Sequence, residues 1–209
     1  MSGWHLVLLG DSIFDNRAYV KAGHSVSEHL QALMGTAGKV TLLAVDGHLA
    51  GDVTGQLLAM PEGATHIALS VGGNDALESL PALETGCSSV LQALEILGKL
   101  QRAFANSYRS ALLAALKPGL PLIACTIYDA VPGLPPPLKT ALSLFNDVIC
   151  RNALAHQVPV LDLSDLLPDP GDYSTASPIE PSEMGGKKIA QALQSWFLIE
   201  HRVQAAYGQ

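Results

Sequence analysis

Five short apolar runs recur along the chain, each bounded by turn residues: His5 to Leu9, Val40 to Val45, His66 to Val71, Leu122 to Ile127 and Val158 to Leu163. Runs of this length, rich in Val, Ile and Leu, are the pattern of strands buried on both faces. Between them the apolar positions fall at three- or four-residue steps, the period of an amphipathic helix. Val90, Leu94, Leu97, Gln101, Phe104, Tyr108, Leu112 and Leu116 mark the longest stretch, with a break expected near Gly98 because glycine weakens a helix interior. Leu142, Phe145, Ile149 and Ala153 mark the next, and Ile189, Leu193, Trp196 and Phe197 the last. Alternating strand and helix implies right-handed crossovers and a parallel sheet covered on both faces. The expected fold class is α/β, a flavodoxin-like three-layer α/β/α sandwich around a five-stranded parallel sheet.

At 209 residues and 48% hydrophobic, the chain can bury the core of a single domain without help from disulfides or metal. That domain is assigned to residues 1–200, with 201–209 as a polar C-terminal tail. A net charge of -7, with 12 Lys and Arg and no basic run beyond Lys187-Lys188, argues against a nucleic-acid or anionic-membrane partner and for a small neutral ligand. Cys87, Cys125 and Cys150 are odd in number and lack CxxC spacing, which predicts reduced, mostly buried thiols. The first strand is expected from about the fifth residue, leaving no room for a secretion signal, and no apolar run reaches the length of a membrane span. A cytoplasmic location is therefore expected. No His/Cys/Asp cluster has metal-ligand spacing and no GxxxxGK loop is present, so neither a metal nor a nucleotide cofactor is implied.

The first apolar run ends abruptly in Gly10-Asp11-Ser12. In a parallel sheet, ligands gather at the carboxyl ends of the strands, which makes Ser12 a candidate nucleophile. Gly72-Gly73-Asn74-Asp75 follows the third run, and Gly51 lies just past the second. Gly-Asp-Ser by itself is a weak signal, because Asp and Ser are ordinary turn and capping residues. Taken in order at the ends of successive strands, the segments resemble the first three blocks of the GDSL (SGNH) hydrolases. The second block departs from that pattern, with Asp46 where the family usually carries Asn. The resemblance implies strand order 2-1-3-4-5, with Ser12 as nucleophile. It further implies an oxyanion hole made by the Ser12 and Gly51 backbone N–H groups and the Asn74 side-chain amide. These residue types suit the chemistry: glycine lets backbone approach a ligand closely, and an Asn amide donates without carrying charge.

The family's last block reads Asp-x-x-His ahead of a helix that begins near Gly-Gly. Here the matching stretch runs from Ser177 to Ala190, with Gly185-Gly186 as its landmark, so Glu180 stands at the histidine position and Ser177 at that of its orienting Asp. The usual base is missing. Glu180 is either a base or substrate contact, or an acidic residue that stabilises the start of the last helix. With Pro181 as first helical residue, the helix terminus would lower the Glu180 pKa, while desolvation in a closed pocket would raise it. His48, on the loop after strand two, is the other possible base, against an exposed loop histidine. Asp172 and Asp129 read as turn residues. The stretch Val131 to Pro137 is either a stiff pocket wall or a rigid connector.

The expected function is a GDSL-type serine hydrolase of a small ester or acetyl-ester, weak because the triad is incomplete. The alternative is a non-catalytic protein on the same fold, in which Ser12, Asn74 and Glu180 hydrogen-bond a polyol or amide ligand. A phospho-acceptor receiver domain does not fit, since strand one ends in a single Asp11 and strand five brings no lysine.

Overall fold

The computed structural model describes residues 4–207. Its strands are β1 (Trp4–Gly10), β2 (Gly38–Leu42), β3 (His66–Ser70), β4 (Leu122–Cys125) and β5 (Val160–Leu161). They form one sheet in the order β2-β1-β3-β4-β5, with every pairing parallel. The order and direction are those that the motif resemblance implies. Leu6 to Leu9 of β1 and Ile67 to Leu69 of β3 are fully buried, as their unbroken apolar runs require.

The helices are α1 (Val26–Met34), α2 (Val53–Gln56), α3 (Gly73–Glu78), α4 (Leu80–Leu83), α5 (Val90–Leu116), α6 (Pro136–Ala155), α7 (Leu163–Leu166) and α8 (Glu183–Tyr207). Successive side chains of each strand point to opposite faces, and the core divides accordingly. On one face Val7, Leu9, Ile67 and Leu69 pack against Val53 of α2, Phe104, Tyr108 and Leu112 of α5, and Phe145 and Ile149 of α6. On the other, Leu6, Leu8 and Ala68 pack against Val26 and Leu30 of α1 and Ile189, Leu193 and Phe197 of α8. The result is the three-layer sandwich.

Several local expectations need correction. Helix α5 does not break at Gly98. One glycine costs a helix interior only about 1 kcal/mol, and here the bare position leaves room for Arg102, whose guanidinium would lie 3.2 Å from a β-carbon at 98. Strand β5 is shorter than the apolar run because Asp162 ends it, its side chain accepting the Ser164 N–H at 2.9 Å to cap α7. Cys125 is buried, but Cys87 and Cys150 are exposed, and all of them are free thiols. Helix α8 continues past residue 200 to Tyr207. Among the described residues no helix is long and apolar enough to cross a membrane.

Candidate active site

Strand β1 delivers Ser12 through a turn that requires glycine. Gly10 has φ +128°, and a β-carbon there would sit 1.7 Å from the Ser70 carbonyl oxygen. Gln56 brackets the same residue, its side chain accepting the Gly10 N–H at 2.8 Å and donating to the Gly10 carbonyl at 2.7 Å. Asp11 then turns inward, 1% exposed. Its carboxylate accepts the Ile13 N–H at 3.1 Å and bonds the backbone of Gly72 and Gly73. Burial outweighs these donors and pushes the Asp11 carboxyl up to about 7. Asp11 thus ties the ends of β1 and β3 together, a role hidden in plain view within Gly-Asp-Ser.

Gly72, at φ +127°, lets the chain enter α3 against the Phe104 ring, 2.8 Å from where a β-carbon would be. Asn74 lies in the first turn of α3. One of its side-chain N–H bonds goes to the His48 carbonyl at 3.0 Å, which orients the amide. The neighbouring Asp75 accepts the Ala50 N–H at 3.0 Å, so α3 holds the loop after β2 by two adjacent side chains. Gly51 follows directly, in the turn Ala50–Asp52; it is exposed and does not line the cavity that holds Ser12. His48 turns to Gln56, with Nδ1 2.9 Å from the Gln56 side-chain nitrogen, and it too is outside that cavity.

Glu180 arrives on the long loop between α7 and α8. Tyr173 and Pro181 form an antiparallel bridge across this loop. The Glu180 carbonyl accepts the Ser174 N–H at 2.8 Å, and the Glu180 N–H donates to the Ser177 carbonyl at 3.0 Å. Ser177 thus contributes its backbone to the turn. The Tyr128 hydroxyl, on the loop after β4, donates to the Ile179 carbonyl. Burial, then the charges of Glu180 and Asp11, push that hydroxyl well above its ordinary value, so it remains a protonated donor. Nothing in the sequence marks Tyr128 for this role, since the partner lies 51 positions away.

The expectation that Pro181 begins the last helix is incorrect. Ser182 is its cap, the hydroxyl accepting the Gly185 N–H at 3.2 Å, and α8 starts at Glu183. The landmark glycines serve packing. A β-carbon at Gly185 would lie 2.2 Å from the Asp172 carbonyl oxygen, and one at Gly186 would lie 3.3 Å from Val26. Asp172 is a structural residue, fully buried and paired with Lys188 at 2.7 Å. Glu180 therefore does not stabilise a helix terminus. It is 5% exposed, and one carboxylate oxygen, Oε2, has no hydrogen-bond partner. Desolvation pushes the carboxyl up to about 7, opposed by the Ser12 hydroxyl facing it and reinforced by the negative charges of Asp11 and Asp46.

Ser12, Asn74, Glu180 and Asp11 share one end of a cavity of about 260 Å³. Its remaining walls come from α3, α4, α5, α6, the Pro-rich segment, and Ile13, Ile127, Tyr128 and Ile179 of the neighbouring loops. Val131 and Leu134 of that segment line the cavity, and Pro136 begins α6, so the stretch is wall and connector at once. The Ser12 N–H and the second N–H of the Asn74 amide are uncommitted among the described residues, and both are available to a ligand oxygen. Among the described residues no group of three or more His, Cys, Asp or Glu side chains could hold a metal ion. The site combines a hydroxyl, a facing buried carboxyl of near-neutral pKa and uncharged donors, which are the parts that acyl transfer needs.

The model of the GDSL-like lipase/acylhydrolase family matches residues 8–186. A search of curated proteins returns no match. Among solved structures, the chain is similar to an extracellular lipase from Streptomyces rimosus at 18% identity, covering 92% of this chain and 99% of that one with a TM-score of 0.69. It is similar to a lipase from a goat rumen metagenome at 17% identity, covering 92% and 96% with a TM-score of 0.71. A variant of an acetyl xylan esterase from Geobacillus stearothermophilus is 17% identical, with 92% and 93% covered and a TM-score of 0.65. At these identities the structural likenesses show the fold.

Proposed function

Because the chain belongs to the GDSL-like lipase/acylhydrolase family, we propose that it hydrolyses a small-molecule carboxylic ester with Ser12 as nucleophile and Glu180, in place of histidine, as the base. The observation that carries this reading is the buried Glu180 carboxyl facing Ser12 with Oε2 unpartnered. An exposed glutamate, with a pKa of about 4.3, is a poor base toward a hydroxyl, whereas one raised to about 7 is matched to neutral pH.

In the first step the Ser12 oxygen attacks the ester carbonyl carbon and its proton passes to Glu180. The developing oxyanion receives the Ser12 N–H and the free Asn74 N–H. Collapse breaks the bond to the alcohol oxygen, which takes the proton from Glu180. Water then attacks the acyl-Ser12 carbonyl, Glu180 accepts its proton, and Ser12 is released with the proton returned. Turnover is expected to be weak, since the burial that makes Glu180 basic also disfavours its ionised form. The free cysteines support a reducing compartment, the cytoplasm, as the location.

The test is incubation with a serine-directed fluorophosphonate followed by intact-mass analysis. A single adduct is expected on the native protein and none on Ser12→Ala. Absence of labelling on the native protein, under conditions that modify a known serine esterase, would replace catalysis with ligand binding on the same fold.

A further inference from the structure

The cavity beside Ser12 is polar at one end and apolar everywhere else. Beyond the four polar residues and Ser79, its walls are mainly aliphatic and aromatic side chains, among them Leu97 and Leu100 of α5 and Leu142 and Phe145 of α6. A sugar or polyol would leave its hydroxyls unpaired against such walls, at a desolvation cost for each. Leu77 and Leu80 line the cavity and are also 41% and 37% exposed, so the apolar surface continues from the interior to solvent. The volume of about 260 Å³ exceeds what an acetyl group fills. At about 30 Å³ for each water-sized methylene, it holds a chain of roughly eight carbons.

The charge at the reactive end selects further. A free fatty-acid carboxylate placed at Ser12 would face Asp11 and Glu180, two acidic groups with no cation among the lining residues. A neutral ester carbonyl meets only the hydroxyl and amide donors there. We infer that the substrate of the proposed Ser12 chemistry is an ester of a medium-length unbranched acyl chain, with the chain lying between α5 and α6 and the ionised product acid repelled by the carboxylates that flank Ser12. This inference rests on the esterase reading of the site.

Two measurements separate the inference from that reading. The first compares kcat/KM of the full-length protein for p-nitrophenyl acetate, butyrate, hexanoate, octanoate and dodecanoate. The value is expected to rise by up to about fourfold per methylene, the worth of burying each one, and to level off near octanoate. Acetate as the best substrate would overturn the inference and leave the esterase reading standing. The second needs no turnover: a thermal shift with 2-decanone, a neutral carbonyl on an alkyl chain, against 2-butanone and decanoate. Greater stabilisation by 2-decanone than by either supports the placement of a medium-length chain in the cavity, and if no ester is cleaved the esterase reading alone falls while that placement stands. Equal shifts for 2-decanone and 2-butanone would overturn it. Leu142→Trp, which fills the cavity from α6, should lower the octanoate-to-acetate ratio by about tenfold or more, the range for methylene discrimination in an apolar pocket. Leu97→Trp from α5 provides the same comparison should the first variant fail to fold, and an unchanged ratio in a folded variant refutes the placement.

Discussion

Ser12 and Glu180 face each other across the cleft, yet Ser12 is placed by strands and Glu180 by a loop. On the serine side, the bonds that set the geometry converge on the ends of β1 and β3: Asp11 bonds Ile13, Gly72 and Gly73, and Gln56 of α2 bonds both sides of Gly10. On the carboxylate side, β5 has ended before the loop begins, and Glu180 is held by Ser174, the Tyr173–Pro181 bridge and the distant Tyr128. The nucleophile is fixed where two paired strands end. The base depends instead on a loop bridged to itself and on one hydroxyl from the loop after β4.

The comparison can be broken most decisively at the serine. Ser12→Ala should reduce ester hydrolysis by about 10³-fold or more while leaving the thermal transition unchanged, because a hydroxyl at a turn contributes little packing. Residual activity equal to native would place the chemistry elsewhere.

Glu180→Gln should cost about 10²–10⁴-fold in kcat/KM, the usual worth of a positioned base. Native kcat/KM should rise with pH and level off above about 7, following ionisation of Glu180. Stability runs the other way. The folded carboxyl binds its proton more tightly than the unfolded one, with a pKa near 7 against 4.5, so the native protein loses stability as pH rises between these values. The glutamine variant escapes that loss, and its thermal transition should lie above native at pH 8 and level with it at pH 4. A variant no more stable at pH 8 would mean that Glu180 is solvated.

Gly185→Ala tests whether α8 positions the carboxylate loop. The clash with the Asp172 carbonyl should cost about 1–3 kcal/mol, seen as a lower thermal transition, with activity falling as Glu180 is displaced. The smallest effect separates residue type from position. Ser177→Asp combined with Glu180→His should exceed Glu180→His alone by about tenfold or more, because an imidazole without an acceptor at its second nitrogen adopts unproductive tautomers. Equal activity would show that residue 177 is too far around the turn to orient a ring.

The same contrast governs what could be read from the residues. Strand order followed from the family resemblance, and the serine turn and Asn74 stood out because each motif sits at the end of a strand. Gly185-Gly186 pointed to Glu180, but the environment of that residue was not legible. Proline is favoured at the first position of a helix, yet Pro181 pairs with Tyr173 and Ser182 does the capping. The apolar stripe of α5 keeps one period throughout, although Phe104, Tyr108 and Leu112 enter the core, Leu97 faces the cavity, and Val90 and Leu94 are exposed. Periodicity reports a shared face and is silent on whether a partner or a void lies against it.

The sheet order also has a consequence for biogenesis. Strand β1 lies between β2 and β3, and all of them precede α5, so a chain emerging from the ribosome carries every contact of the serine turn long before α8 is made. Glu180 joins only when Ser182 caps the last helix and that helix docks on α1. A truncated or partly released chain therefore holds a formed but unreactive serine. In the finished protein, fraying of the 169–182 loop would return the site to that silent form without unfolding the sheet, and amide exchange in the loop should outpace that in β1 and β3.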